Sequence, residues 1–116
     1  MKHEIREKGF DFSIRIAELV QFLREDRKGF PLCERLLVCA VETGLACQTL
    51  MEVGKNRGKK AKQTASFVKE ADYIIEMARV AGYLTPEQCF HIRADCGNLL
   101  RMLAESGAGV ASAADK

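Results

Sequence analysis

Apolar residues recur at helical spacing in four stretches of the chain, and polar breaks bearing glycine or proline separate them. The clearest stretch runs from Ala61 to Leu103. Its first half carries Val68, Ala71, Ile75, Ala78 and Gly82 on one stripe, and its second half carries Cys89, Ile92, Cys96, Leu99 and Leu103 on another. Between them stands Gly82-Tyr83-Leu84-Thr85-Pro86-Glu87-Gln88. Gly82 suits the left-handed residue that ends a helix. Thr85 suits the N-cap, Pro86 the first helical position, and Gln88 closes a capping box with Thr85. Two helices joined so tightly must run antiparallel and share a core.

The earlier half of the chain predicts two more helices. Residues 4–25 lead from Ile5, Phe10 and Phe12 into Ile16, Leu19, Val20 and Leu23, with charges of alternating sign opposite. Gly9 reads as a break, so the regular helix is expected to begin near Asp11 or Ser13. The link Asp26-Arg27-Lys28-Gly29-Phe30-Pro31 ends it. The second helix is expected from about Leu32 to Val53. Its seam is Leu36, Leu37, Ala40, Val41, Gly44, Cys47, Gln48 and Met51, with Leu45 and Leu50 partly off it. Small residues at Gly44 and Ala46 permit a close neighbour, which is either another helix of the same core or a second copy of the chain. Phe67, Ile74 and Ala81 make a second stripe on the third helix with the same two readings.

The prediction is all-α: an up-down-up-down antiparallel four-helix bundle over residues 1–105, followed by a disordered tail over 106–116, where small residues show no period. A chain of 116 residues is long enough for one core of this kind. No segment approaches the length of a membrane span, and the charged start, Met1-Lys2-His3-Glu4, lacks an apolar signal region. Cys33, Cys39, Cys47, Cys89 and Cys96 are odd in number and sit inside helical patterns. They read as reduced thiols of a cytoplasmic protein, most of them buried as small hydrophobes.

Charge changes the picture in one place. The formal net charge of +2 is nearly balanced, so only local clustering can mark a partner. Such a cluster is Gly54-Lys55-Asn56-Arg57-Gly58-Lys59-Lys60-Ala61-Lys62, read as a flexible basic linker. Lys55, Arg57, Lys59, Lys60 and Lys62 are the candidate nucleic-acid-binding residues, because phosphate backbones bind such clusters through counterion release. The bland reading is a solvated loop. No aromatic is interleaved in the linker, so no base-stacking platform is expected.

Chemistry of other kinds finds no foothold. Cys89 and Cys96 share the core stripe, whereas His91 lies about 160° from Cys96 on a helical wheel, so no metal site is expected. Glu70 and Asp72 point to different faces, no phosphate loop occurs, His3 stands at a terminus expected to fray, and neither His3 nor His91 follows an Arg by about five residues as in small helical nucleases of the HEPN type. No catalytic residue and no cofactor is assigned.

Met77-Ala78-Arg79, then Gly82-Tyr83-Leu84-Thr85, then Leu99-Leu100-Arg101-Met102-Leu103 give the chain a family likeness. Over roughly residues 10–105 it resembles a bacterial family of small four-helix bundles. That family includes proteins encoded by intervening sequences of large-subunit ribosomal RNA genes and the accessory variability determinant (Avd-like) proteins of diversity-generating retroelements. The basic stretch followed by spaced Lys and Ala has a counterpart in the accessory proteins. The resemblance implies a non-enzymatic bundle assembled as a homopentamer. In the accessory subgroup it further implies a basic ring that binds nucleic acid, RNA or DNA, and associates with a reverse transcriptase.

Overall fold

The structure, a computed structural model, describes residues 2–25 and 29–115, with side chains over 4–25 and 29–107. Asp26, Arg27 and Lys28 of the expected first link, the His3 side chain, and the tail side chains from 108 onward lie outside what is described.

Four helices make the fold: α1 (Lys2–Glu25), α2 (Cys33–Thr49), α3 (Arg57–Val80) and α4 (Pro86–Asp115). Two short 3-10 turns, Leu50–Glu52 and Gly54–Asn56, join α2 to α3. Each helix packs against its sequence neighbours, and α1 closes on α4. This is an all-α four-helix bundle of up-down-up-down order, 51 Å long and 21 Å across. The short cross-section follows from packing single helices around one apolar axis.

The core stripes of the second half are those expected, except that Gly82, read as the end of the first, is exposed in the turn beyond α3. Val68, Ala71, Ile75 and Ala78 face Cys89, Ile92, Cys96, Leu99 and Leu103, all buried. The turn between them also has the expected chemistry. Gly82 has φ of 90°, Tyr83 N–H donates to Ala78 O (2.8 Å), and Gly82 N–H donates to Arg79 O (3.1 Å), a Schellman ending. The capping box is formed in both directions, by Thr85 N–H to Gln88 Oε1 (2.8 Å) and Gln88 N–H to Thr85 Oγ1 (3.2 Å).

The first half departs from expectation in three ways. α1 runs unbroken through Gly9. That glycine is a contact rather than a break: a Cβ there would stand 2.5 Å from Cys47 Cβ. Ser13 Oγ, one turn on, donates to Ala40 O across the same crossing (2.7 Å) and packs on Gly44. Gly44 and Cys47 of α2 are therefore occupied by α1 of the same chain. Secondly, the α2 seam is rotated. Cys33, Leu36, Cys39, Ala40, Thr43, Cys47 and Leu50 are buried, whereas Val41 is 56% and Leu45 63% exposed. Thirdly, α2 ends at Thr49 rather than near Val53.

On α3, the second stripe resolves largely into core, since Ile74 is buried and Phe67 packs against the core, while Ala81 is exposed. At the far end, α4 is helical to Asp115, so the boundary expected at 105 falls inside a helix. Gly107 of α4 meets α3 closely there, a Cβ at Gly107 lying 3.2 Å from Ala61 Cβ.

Candidate nucleic-acid interface

The stretch read as a flexible linker is ordered. Gly54, at φ of 68°, opens a single 3-10 turn, and α3 begins at Arg57. Most of the basic residues are thus the first two turns of a helix. That start has no side-chain cap and no acidic residue in its first turn. Cations crowd the positive end of the helix dipole, an arrangement unfavourable to the isolated helix and favourable to a bound anion.

Helical geometry sorts the five candidates. Lys55 is exposed on the turn before α3, and Lys59 and Lys62 are exposed on its outer side. Lys60 lies about 160° around the helix from Lys62 and is half-buried. Arg57 turns back over the connection, its Nη1 3.7 Å from Met51 Sδ and its Nε buried with no partner. The expected single cluster is therefore split, and only Lys55, Lys59 and Lys62 present their charge fully to solvent.

Periodicity then extends the outer group. Lys59, Lys62, Ser66, Lys69 and Tyr73 follow at i, i+3, i+7, i+10 and i+14, and all are exposed. Lys69 and Tyr73 escape a reading of the sequence that stops the basic segment at Lys62. The signal that finds them is the helical register from Arg57 onward, which a linker assignment conceals.

Electrostatics sharpen the contrast along α3. From Val53 to Lys69 the chain has six basic residues and no acidic one. The carboxylates of α3 begin at Glu70, and each is held by arginine. Arg35 of α2 engages Glu70. Arg93 of α4 reaches Asp72 (3.0 Å) and Glu76 (2.7 Å), and Arg79 also binds Glu76 (2.8 Å). The Arg79 hydrogen bond holds the Glu76 carboxyl below its usual range; desolvation opposes this, and the charges of Arg79 and Arg93 add to it. None of the ion pairs among the described residues uses Lys59, Lys62 or Lys69.

The remaining candidate chemistry is dispersed. Cys89 and Cys96 face the core while His91 is exposed against Phe90, ring centroids 5.3 Å apart. Among the described residues no group of His, Cys, Asp and Glu side chains is placed to hold a metal ion. Burial pushes the thiols up: Cys39 and Cys47 to about 11, and Cys96 to about 12. For Cys39 and Cys96 nearby carboxylates add to that effect. These are protonated core side chains, poor nucleophiles and poor ligands. Among the described residues no helix is long and apolar enough to cross a membrane.

No family model matches the chain, and no curated protein does. Among solved structures it is similar to a protein of unknown function from the S23 ribosomal protein family of Bacteroides thetaiotaomicron. The two are 21% identical over 89% of this chain and 97% of that one, with a TM-score of 0.82. At that identity the likeness concerns the fold.

Proposed function

We propose that the protein is a non-catalytic, cytoplasmic, self-associating adaptor that binds nucleic acid through the N-terminal half of α3. On this reading it serves a structured RNA or a retroelement reverse transcriptase. The observation that carries the proposal is the acid-free run from Val53 to Lys69, whose exposed Lys59, Lys62 and Lys69 enter no ion pair among the described residues while the carboxylates further along α3 are held by arginine. The helix dipole at Arg57 adds to the attraction for phosphate. The structural neighbour's assignment to a ribosomal protein family supports an RNA context, and the family resemblance supports a pentamer.

Mobility shifts with RNA and DNA at rising salt test the proposal. Replacing Lys55, Arg57, Lys59, Lys60 and Lys62 together by Ala should weaken binding at low salt. It should also flatten the dependence of log K on log salt by roughly 0.7–0.9 for each phosphate contact removed. Unchanged affinity in that variant would remove those five residues from the interface.

A second reading, a protein-interaction bundle without nucleic-acid affinity, is favoured by a different surface. Val38, Val41 and Leu45 follow at i, i+3 and i+7 on α2, exposed, and Phe10 and Ile14 are exposed on the adjoining α1. The two readings share this surface as the place of self-association. They part on whether polyanions bind at all.

A further inference from the structure

The outer face of α3 does not end with its lysines. Tyr73 is 69% exposed and continues the line of Lys59, Lys62, Ser66 and Lys69, one turn beyond the last lysine. From Lys59 to Tyr73 is fourteen residue steps of α-helix, a track of about 21 Å. The ring has no aromatic partner among the described residues, whereas the protein's other tyrosine, Tyr83, packs on Phe30 with centroids 4.9 Å apart. A phenol ring held out on a rigid helix loses little freedom on binding, and it presents an open π-face to a planar group.

We infer that α3 carries a track for single-stranded nucleic acid, with Lys59, Lys62 and Lys69 on the phosphates and Tyr73 as a stacking platform for an unpaired base. This rests on the nucleic-acid reading above and adds to it a preference for single strands. Charge complementarity selects the occupant. The lysines call for a polyanion, and the aromatic at the end of the same line calls for a polyanion that bears flat rings. A duplex keeps its bases stacked on one another and offers the ring nothing. No aromatic is interleaved in residues 54–62 themselves, and it is the continuous helix that brings Tyr73 into register with their lysines.

The test uses the full chain with oligo(U), oligo(dT), a mixed-sequence duplex, and heparin, a polyanion without bases. Tyr73→Ala should weaken both single strands roughly tenfold or more and leave heparin unchanged, while Tyr73→Phe binds like the parent. Lys62→Ala with Lys69→Ala should weaken all four ligands. The chain has no tryptophan, so tyrosine emission in a Tyr83→Phe background reports Tyr73 alone, and it should be quenched by the single strands and not by heparin. Single-strand affinity unchanged in Tyr73→Ala, an equal loss for heparin, or a fall in solution mass with oligonucleotide binding intact would each overturn the stacking role while sparing the lysine reading. A parent protein that binds none of the four ligands would overturn both.

Discussion

Thr43 holds a hydroxyl in the bundle core with no hydrogen-bond partner. Thr64, equally buried, satisfies its own by donating to Lys60 O (2.7 Å). A buried hydroxyl without a partner keeps its desolvation cost, so Thr43→Val should raise stability by about 1 kcal/mol in urea unfolding. Gly9 is the opposite case. Any side chain there meets Cys47, and Gly9→Ala should destabilise by about 1–3 kcal/mol through overpacking. Neither effect is legible in the sequence. A glycine in a helical pattern reads as a break, and only the crossing partner turns it into a contact. Thr43 is small and polar, yet it shares the buried face of α2 with the cysteines, whose burial the helical pattern does suggest. Periodicity weighted by hydrophobicity instead favours Val41, which is exposed.

At the scale of elements, the chain is easiest to read where local chemistry and packing agree. Between α3 and α4 the positive-φ glycine, the capping box and both apolar stripes point the same way, and the structure follows them. Thr85→Ala should cost about 0.5–2 kcal/mol by removing the Oγ1 acceptor from Gln88 N–H. The start of α3 is where local chemistry and structure disagree. Glycines and lysines in succession look like a flexible link, and cations at a helix N-terminus work against the helix dipole. The helix forms there because Ala61, Thr64 and Val68 are buried in the bundle. Lys59→Glu should therefore stabilise the protein, by about 0.3–1 kcal/mol, while weakening its hold on polyanions. Thermal unfolding and mobility shifts on the same sample would read both signs, and a loss of stability would contradict the dipole argument.

For the whole molecule, the fold class was legible because four amphipathic segments with short connections leave few alternatives. The layout of the surface was not, since it depends on which side of each helix the core takes. The raised thiols give the molecule an alkaline limit. Cys39, Cys47 and Cys96 ionise near their ordinary value of 9.0 when unfolded and only near 11–12 when folded. The unfolded chain thus releases protons first, and stability should fall as pH rises from 9 toward 12. Urea midpoints across that range check it. If self-association uses the apolar surface of α2, Val41→Glu with Leu45→Glu should give a solution mass of 12.9 kDa, that of one chain. Arg35 sits on α2 and pairs with Glu70, the residue that follows Lys69 on α3. If a strand follows the lysine track proposed above, Arg35→Gln would unmask a negative charge beside it and loosen its hold. An ion pair to a neighbouring helix would then set part of the tightness of that contact, by silencing a carboxylate that would otherwise push the strand away.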